Sequence, residues 1–385
     1  MNKRLDDFEV PPAIEIADTV RELAASGVKV AALQTGEPLF PTPAYIINAA
    51  DEGMRLGLTR YADSRGIPLL RSALAEDYKI RTGLNLDSGR FLVTIGAAGA
   101  IFTILNTVVN PGDEVLVPDP AWPQYVNISR FAGADVRRIS TVADGGKLTA
   151  DRMREVLSAR TRVVVINNPN NPAGAVYSEQ DLNALLDCAG EHGIYLLFDE
   201  VYDRIVFSET FCKVLCCSRY PEHSSRVLYI NSFSKTFSMT GWRVGYAYLP
   251  VDVHRNAWKL SQNSVTNVPA FVQYAAAQAI LRRQEHAEIF DEMLAVYRTR
   301  HRELTLALEK CGVSFLKPEG AFYFLIDVRR DARQFSTDLL DRLRIACVPG
   351  IAYGEDYWSY VRISTAVDEY SYSTFLHHIT QGDIF

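Results

Sequence analysis

The segment from Ser232 to Arg243 carries side chains suited to covalent or phosphate chemistry, with Lys235 among several hydroxyl groups. A lysine in such surroundings can hold an anionic phosphate, or form a Schiff base once burial lowers the pKa of its amine. Most lysines are simply solvated, and Ser-x-Ser-Lys is a short pattern with many accidental matches. The segment alone therefore leaves a phosphate ligand, a nucleophile and a solvated lysine open.

Asp199 directly follows the apolar run of residues 194–198. A carboxylate at that position is costly to bury unless a cation or a hydrogen-bond donor neutralises it, and a protonated heterocyclic nitrogen would do so. The alternative is an aspartate that caps the N-terminus of a helix. Tyr202 follows closely enough to present its phenol to the same ligand as Asp199.

Residues 96–99, Gly-Ala-Ala-Gly, offer free backbone N–H groups at the start of a helix, and such groups bind anions. The Gly-x-Gly-x-x-Gly spacing of a dinucleotide site is absent, and no acidic residue follows at the place of a ribose ligand. A phosphate without a dinucleotide fits this segment better. The sequence also lacks a Gly-Lys-Ser/Thr phosphate loop and a His-Glu-x-x-His zinc motif.

Short apolar segments alternate with longer amphipathic ones, which predicts an α/β protein with a mainly parallel sheet. Helices are predicted at 97–109 and 178–192, where Ser178 and Asp181 form a capping box. Open α/β sheets bind ligands at the carboxyl ends of their strands, so the polar segments after four strands are expected to meet in one crevice. The predicted strands are residues 91–95, 114–117, 136–140, 162–166, 194–198, 227–230 and 244–249.

The two ends of the chain differ from this central pattern. Residues 271–309 are a helix-forming tract, followed by short strands near 321–326 and 360–364. An amphipathic helix at 14–26 precedes a proline-rich segment, 36–43, that cannot be regular structure and is expected to form an arm against the C-terminal lobe. We therefore predict three parts: an arm with part of the small domain at 1–45, a large domain at 46–285, and a small domain at 286–385.

The composition is that of an ordinary globular protein of 385 residues, with 48% hydrophobic and 22% charged side chains. A formal net charge of −6 gives no electrostatic reason to bind a nucleic acid or an anionic membrane surface. The first nine residues carry charges where a signal peptide needs an apolar run, and no long uninterrupted apolar stretch occurs. We therefore expect a cytoplasmic protein without nucleic-acid or membrane partners.

The six cysteines are too few and too irregularly spaced for a secreted disulfide framework, which favours reduced thiols. Three of them lie close together in the sequence as Cys212, Cys216 and Cys217. This segment lacks the paired Cys-x-x-Cys spacing of a zinc site, and only His223 is nearby as a further ligand. We therefore expect no metal.

Taken together, these motifs resemble those of the fold-type I pyridoxal-phosphate enzymes, specifically the class I/II aminotransferases of the aspartate/aromatic aminotransferase type. The resemblance covers nearly the whole chain and implies a three-layer fold with a mainly parallel seven-stranded sheet plus a smaller α+β domain. One departure is Ala173, where the Asn-Asn-Pro motif usually continues with threonine. The matching segments are residues 33–38, Tyr61 with Gly66, 119–125, 167–172, 199–202, 232–243 and 360–364.

For the cofactor ring, the resemblance implies that Lys235 is the Schiff-base lysine and that Asp199 pairs with the pyridinium nitrogen, which keeps the ring an electron sink. Asn171 and Tyr202 would hydrogen-bond the ring oxygen, and Trp122 would stack on the ring face. Trp122 taken alone would be interpreted as a core aromatic, and only its motif favours the cofactor role. The predicted catalytic residues are thus Lys235, Asp199 and Tyr202.

The phosphate contacts are also implied by the resemblance. Tyr61 would reach the phosphate in the neighbouring subunit, which predicts a homodimer with composite active sites and an inactive monomer. Within the subunit, the phosphate would be held by backbone N–H groups, hydroxyls and a guanidinium. These groups belong to Ala97, Ala98, Ser232, Ser234 and Arg243.

The implied reaction transfers the amino group of an L-amino acid to a 2-oxo acid by a ping-pong mechanism. Arg362 would clamp the substrate carboxylate as a bidentate fork, with Asn171 and a backbone contact from Gly36. Acidic substrates call for a second cation, and the resemblance implies a place for it in residues 261–269, which contain no lysine or arginine. This absence favours aromatic or neutral amino acids, while a cation from Lys259 or from the partner chain leaves acidic substrates open.

Two other functions stay open. Fold-type I enzymes include β-lyases that share the first chemical step, and such a lyase would release pyruvate and ammonia without an added 2-oxo acid. A pyridoxal-phosphate-sensing regulator would need a DNA-binding domain ahead of the arm, where about 30 residues are too few for a helix-turn-helix module.

Overall fold

The computed structural model describes Phe8 and residues 12–385. The prediction that no signal peptide is present, and the first part of the predicted arm, fall on residues 1–7 and 9–11, outside the described residues. The strands are β1 Ala31–Ala32, β2 Phe91–Thr94, β3 Glu114–Asp119, β4 Asp135–Ser140, β5 Thr161–Asn167, β6 Tyr195–Asp199, β7 Val227–Ser232, β8 Gly245–Tyr248, β9 Phe315–Leu316, β10 Tyr323–Asp327, β11 Ile345–Ala346, β12 Val348–Pro349 and β13 Tyr360–Ser364.

The helices agree with the predicted alternation of helices and strands. The predicted capping box is confirmed at the start of α7, where the Ser178 side chain accepts from the Asp181 N–H and Asp181 caps in return. The helices are α1 Pro12–Ala25, α2 Ala44–Arg55, α3 Pro68–Thr82, α4 Gly96–Val108, α5 Gln124–Phe131, α6 Ala150–Val156, α7 Glu179–His192, α8 Tyr220–His223, α9 Phe233–Thr236, α10 Val251–Ser264, α11 Ala270–Leu281, α12 Ala287–Lys310, α13 Ala332–Leu343 and α14 Glu369–Gln381.

The largest sheet has seven strands in the order β2-β8-β7-β6-β5-β3-β4. β8 runs antiparallel to β2 and β7, and the other neighbouring strands are parallel. All seven predicted strands are present, with bounds within two residues of those expected. The predicted α/β fold with a mainly parallel seven-stranded sheet is confirmed.

Helices cover both faces of this sheet, which explains why its strands are apolar throughout. Along β5, Val163 and Val165 pack in one apolar cluster with side chains of α4 and α10. Val164 and Ile166 pack in the other cluster, with side chains of α3, α7 and α11. Because successive side chains of a strand point to opposite faces, the result is three layers.

A smaller antiparallel sheet, in the order β12-β13-β10-β9, forms the C-terminal lobe. β1 pairs in parallel with β11, so the segment after α1 adds to this lobe. Ala31 and Leu33 lie in the same apolar cluster as Phe324 and Phe375. The segment after α1 thus contacts the C-terminal lobe, and the domain bounds at 45/46 and 285/286 stay a prediction.

The tract at 271–309 consists of two helices, α11 and α12, separated by the 3-10 turn Arg283–His286. α11 packs against α2 and α3 beside the large sheet. Within the described residues, every helix is too short or too polar to cross a bilayer.

Candidate active site

The polar segments after β2, β5, β6 and β7 line one cleft of about 1010 Å³, which side chains of the C-terminal lobe also line. Sequence reasoning placed a crevice at these strand ends. Tyr61 is the one predicted site residue outside the lining within this chain, and 89% of it is exposed. The others in the lining are Gly36, Ala97, Ala98, Trp122, Asn171, Asp199, Tyr202, Ser232, Ser234, Lys235, Arg243 and Arg362.

Lys235 lies on α9, the short helix that follows β7, with its amine buried in the cleft. Nζ donates a hydrogen bond to the backbone carbonyl of Gly36 and lies 5.7 Å from the centre of the Tyr202 ring. Burial is the main cause that lowers the pKa of Lys235 to about 8, while Glu37 opposes this shift and Arg362 adds to it. An amine with this pKa is partly neutral near physiological pH and can act as a nucleophile or a base.

Asp199 is the last residue of β6 and is 3% exposed. Its Oδ2 accepts a hydrogen bond of 2.8 Å from the Tyr125 hydroxyl, and Oδ1 accepts one of 3.2 Å from the Val201 N–H. Burial raises the pKa of Asp199 to about 6, and the Tyr125 hydrogen bond limits that rise. A carboxylate held in this way is suited to a cationic partner inside the cleft.

The start of α4 and the Arg243 guanidinium lie side by side in the cleft lining. Gly96 has a φ of +63°, and a Cβ at this position would lie 2.8 Å from Nη2 of Arg243. A side chain here would therefore strain the backbone and crowd the guanidinium. The first N–H groups of α4, including those of Ala97 and Ala98, have no partner within the helix and are available to an anion.

Two hydroxyls lie beside this helix start. The Ser232 hydroxyl donates to Oγ of Ser234 over 2.8 Å and accepts from the Ser234 N–H over 3.0 Å. Arg243 donates from Nη1 to the Thr240 carbonyl over 2.8 Å. Hydroxyls, free N–H groups and a guanidinium together make an anion site of the size of a phosphate.

Arg362, on β13, also lines the cleft and is 4% exposed. Nη2 donates to the Gln34 carbonyl over 2.5 Å, and Nη1 donates to Oδ1 of Asn171 over 3.3 Å. The guanidinium lies over the rings of Tyr323 and Tyr353, at 4.6 and 5.3 Å from their centres. Its Nε has no hydrogen-bond partner, so the fork still has donor capacity for a carboxylate.

Tyr202 and Tyr323 face each other in the cleft, with their hydroxyls 2.9 Å apart. Burial raises the pKa of Tyr202 well above its ordinary value, so it remains a protonated donor. Asn171 is positioned by the preceding loop, because its N–H donates to Oδ1 of Asn167 over 2.7 Å. Asn167 in turn donates from Nδ2 to the Asp199 carbonyl over 2.9 Å, which ties two strand ends together.

Trp122 is half-buried and lines the cleft, in an edge-to-face contact with Tyr125 at 5.4 Å between ring centres. Helix α1 supplies an outer wall. Its lining side chains are mainly small or aliphatic, with one arginine. They belong to Ala13, Ile14, Ala17, Val20 and Arg21.

Sequence reasoning gave no role to Tyr125, Tyr323, Asn167 or Gln34. Tyr125, Asn167 and Gln34 lie inside segments that carried the family resemblance, and this was the signal available for them. Tyr323 is the first residue of β10, and only the packed structure reveals its contact with Tyr202.

The charged side chains of the cleft indicate which ligand charges would fit it. In the described part of the chain, Lys235, Arg243 and Arg362 form no ion pair with a carboxylate. The cleft thus combines three cations that lack an ion-pair partner with the buried carboxylate of Asp199. These charges fit a ligand set made of a phosphate, a protonated ring nitrogen and a substrate carboxylate.

Comparison with known proteins agrees with this fit. The sequence matches the family described as aminotransferase class I and II over residues 28–379. The chain belongs to this family. An aspartate/prephenate aminotransferase of Thermus thermophilus is 35% identical to this aminotransferase over 375 residues, covering 96% of this chain and 95% of the relative.

Two further relatives are informative. A (5-formylfuran-3-yl)methyl phosphate transaminase of Methanocaldococcus jannaschii is 32% identical over 366 residues, covering 95% of each chain. The solved structure of Thermus thermophilus aspartate aminotransferase with maleate superposes on this aminotransferase with a TM-score of 0.93, at 32% identity and 99% coverage of both chains. Relatives at similar identity thus carry the names of different substrates, and identity alone does not select one.

The enzyme is therefore a transaminase of fold type I, and its cofactor is pyridoxal 5'-phosphate. The cleft fits this group because it offers the anion site, the buried carboxylate and the buried amine described above. The names of the relatives do not favour the β-lyase alternative.

Proposed function

We propose that this aminotransferase moves the amino group of an L-amino acid to a 2-oxo acid by a ping-pong mechanism, with donor and acceptor using the same cleft in turn. One observation carries the proposal. The buried amine of Lys235 and the buried carboxylate of Asp199 lie close enough for each to shift the pKa of the other. Both open onto a cleft that also contains the unpaired Arg362.

Each of these residues would have a role in holding the cofactor. Lys235 would be the covalent anchor, Asp199 would accept a hydrogen bond from the ring nitrogen, and Trp122 would cover the ring face. Tyr202 and Asn171 would donate to the ring oxygen. The phosphate would be bound by the backbone N–H groups of Ala97 and Ala98, by Ser232, Ser234 and Arg243, and by Tyr61 of the neighbouring subunit.

Bound pyridoxal phosphate supplies an electron sink for the negative charge left when the substrate loses its α proton. Arg362 orients the substrate by its carboxylate, with help from Asn171 and the Gly36 backbone. While substrate occupies the cleft and the covalent bond of Lys235 is open, its neutral amine would remove the α proton, and the resulting ammonium would return it during the same half-reaction. A pKa near 8 suits both roles at neutral pH, because neither form of the amine is rare.

Replacing Lys235 with alanine tests these assignments. The Lys235→Ala enzyme should lose the visible absorbance of the covalently bound cofactor and nearly all turnover. Lys317→Ala is the matched control, because this lysine is exposed and lies outside the cleft. Turnover retained by Lys235→Ala would contradict the proposal.

We propose that the substrate side chain is aromatic or neutral. The wall formed by α1 presents aliphatic side chains to the cleft, and residues 261–269 contain no cation. Among the described lining residues outside the catalytic set, the remaining cation is Arg21, which pairs with Asp18 on the same helix. An apolar side chain would lose less by leaving water here than a second carboxylate would.

An acidic substrate is the second candidate, because several relatives are named for aspartate. Arg21 would then supply the second cation. Initial rates with a panel of amino acids, using 2-oxoglutarate, pyruvate and prephenate as acceptors, separate the two candidates. A preference for aspartate that Arg21→Ala removes, without loss of activity on other amino acids, supports the acidic candidate. A preference for phenylalanine or leucine that Arg21→Ala leaves intact supports the aromatic or neutral candidate.

We also propose a homodimer with composite sites, because Tyr61 is exposed and lies outside the cleft of its own chain. Mixing Tyr61→Ala with Lys235→Ala subunits tests this arrangement. A hybrid dimer would contain one site with both residues intact, so random exchange should restore about a quarter of wild-type activity. Monomeric protein with full activity would contradict it.

A cytoplasmic location is proposed as well. All six cysteines are free, as is usual in a reducing compartment. Cell fractionation with a tagged chain tests this proposal.

A further inference from the structure

The cysteine turn, residues 212–217, has a geometry that the transamination chemistry does not use. Sγ of Cys212 and Sγ of Cys217 lie 3.7 Å apart. Both thiols also face the carbonyl oxygen of Lys213, at 3.4 and 3.5 Å. The 3-10 helix Val214–Cys216 folds the chain back and brings the two sulfurs together.

The two thiols of this turn differ in character. Cys212 is partly exposed, whereas Cys217 is 3% exposed. The hydrogen bond with Cys217 lowers the pKa of Cys212, and the same bond with burial raises the pKa of Cys217. The thiolate is the reactive form of cysteine, so Cys212 is the better nucleophile and Cys217 is a protonated neighbour.

We propose that Cys212 and Cys217 form a reversible intramolecular disulfide when hydrogen peroxide reaches the enzyme, with Cys212 as the nucleophile and Cys217 as the resolving thiol. The Cys212 thiolate attacks one peroxide oxygen, the O–O bond breaks, and the departing hydroxide takes up a proton to become water. Cys212 is then a sulfenic acid. The Cys217 sulfur attacks the Cys212 sulfur, the S–O bond breaks, and the hydroxyl leaves as water with the Cys217 proton.

This oxidation is balanced in electrons and protons. Two thiols lose two electrons and two protons, and one peroxide becomes two waters. A dithiol reductant reverses the reaction by thiol–disulfide exchange. Disulfides in reducing compartments are usually transient in this way, which agrees with the free thiols of the resting enzyme.

The fold holds the cysteine turn in place for this reaction. The Cys212 carbonyl accepts from Nδ2 of Asn168 over 2.9 Å, and the Cys212 N–H donates to the Tyr177 carbonyl over 3.0 Å. The Val214 N–H donates to Oε1 of Glu200 over 2.8 Å. The sulfurs must approach to about 2 Å to bond. They start 3.7 Å apart, in a turn whose first half is held by these hydrogen bonds.

The other cysteines lack a second sulfur within hydrogen-bonding distance in the described chain. Cys188 contacts His192, Cys311 donates to the Ile379 carbonyl, and Cys347 contacts Ser336. Cys216 is exposed, and in the described chain no hydrogen bond joins it to either sulfur of the pair. Cys216 is therefore the matched control within the same turn.

The experiment treats the folded holoenzyme with a small excess of hydrogen peroxide and measures free thiols and peptide masses. The wild type and Cys216→Ser should each lose two thiols, with a cross-linked peptide lighter by about 2 Da, and dithiothreitol should restore both thiols. Cys217→Ser should stop at a sulfenic acid on residue 212 that dimedone traps. Cys212→Ser should form neither product.

Three results would overturn the proposal. The first is a disulfide that involves Cys216, and the second is thiol loss that is the same in Cys212→Ser as in the wild type. The third is loss of the same two thiols when the chain is oxidised in denaturant, which would show that sequence proximity and not the folded turn pairs them. Cofactor absorbance and thermal melting of each variant identify any that fail to fold, and Cys212→Ala provides a second variant in that case.

Discussion

Two buried pairs of an acid and a lysine lie at the same strand end. Asp199 lines the cleft with Lys235, whereas the next residue, Glu200, interacts with Lys213, and neither of these two belongs to the cleft lining. Burial raises the pKa of Asp199 to about 6 and that of Glu200 to about 7, and it lowers the pKa of Lys235 to about 8 and that of Lys213 to about 7. By the direction of these shifts, the two pairs are alike.

The two pairs differ in their partners and in access. Lys213 forms an ion pair with Asp203, and Glu200 accepts from the Val214 N–H. Lys235 has a backbone carbonyl as its partner and lines the cleft. A shifted pKa therefore marks burial in both places, and only the pair that opens onto a ligand-sized cleft is suited to catalysis.

The largest expected effect comes from the acid of the cleft pair. Asp199→Asn keeps the shape of the side chain but removes the charge that holds a ring nitrogen protonated, so turnover should fall about 10²- to 10⁴-fold. Steady-state kinetics at saturating cofactor measure this loss. Glu200→Gln is the matched variant, and its turnover should stay within about twofold of the wild type. If turnover fell equally in Glu200→Gln and Asp199→Asn, the claim that only the pair lining the cleft acts in catalysis would be wrong.

The lysine of the second pair, Lys213, should affect stability instead. Lys213→Met removes the cation beside Glu200 and leaves Asp203 with Arg81 at 3.9 Å as its remaining ion-pair partner, which should lower the free energy of unfolding by up to about 5 kcal/mol. Equilibrium urea unfolding measures the change, and turnover per folded active site should hardly move. The double variant Lys213→Met with Asp203→Asn should regain part of the stability. An unchanged unfolding curve would mean that the pair of Glu200 and Lys213 contributes nothing.

The sequence predicts the large sheet well, because strands buried on both faces are apolar throughout and stand out from their surroundings. It also predicts the crevice, since parallel strands bring their carboxyl ends to one edge. It does not predict β1, β11 or β12, because strands of two residues have no periodic pattern.

Contacts between residues far apart in the chain could also not be predicted from the sequence. Tyr125 lies 74 positions from Asp199, and Tyr323 lies 121 positions from Tyr202, so both contacts depend on packing. Likewise, the sequence places Asp199 and Glu200 side by side, but only the fold decides which of them meets the open cleft.

A smaller effect on the cleft pair is expected from Tyr125→Phe. This change removes one hydrogen bond to a charged oxygen of Asp199, which should raise the pKa of that carboxylate further and lower turnover by about ten- to a hundredfold. The acid limb of the pH–rate profile should move to higher pH. Tyr195→Phe is the control, because Tyr195 lies at the opposite end of β6. An acid limb that stays in place would show that the hydrogen bond does not tune Asp199.

The smallest expected effect is on the pH dependence of cofactor uptake, which distinguishes Lys235 from Lys213. The neutral amine is the nucleophile, so the rate at which apoenzyme takes up pyridoxal phosphate should rise about tenfold between pH 7 and pH 9 and then level off, as the pKa of Lys235 near 8 requires. An ordinary lysine would keep gaining reactivity beyond pH 10. Stopped-flow absorbance measures the rate, with Nα-acetyl-lysine as the reference for titration of the cofactor itself.

Two variants test whether this amine is Lys235. Glu37→Gln removes a charge that raises the pKa of Lys235, so the midpoint of the pH profile should move to lower pH, whereas Lys213→Met should leave that midpoint unchanged. A midpoint that shifts in Lys213→Met and stays in place in Glu37→Gln would contradict the assignment of the reactive amine to Lys235.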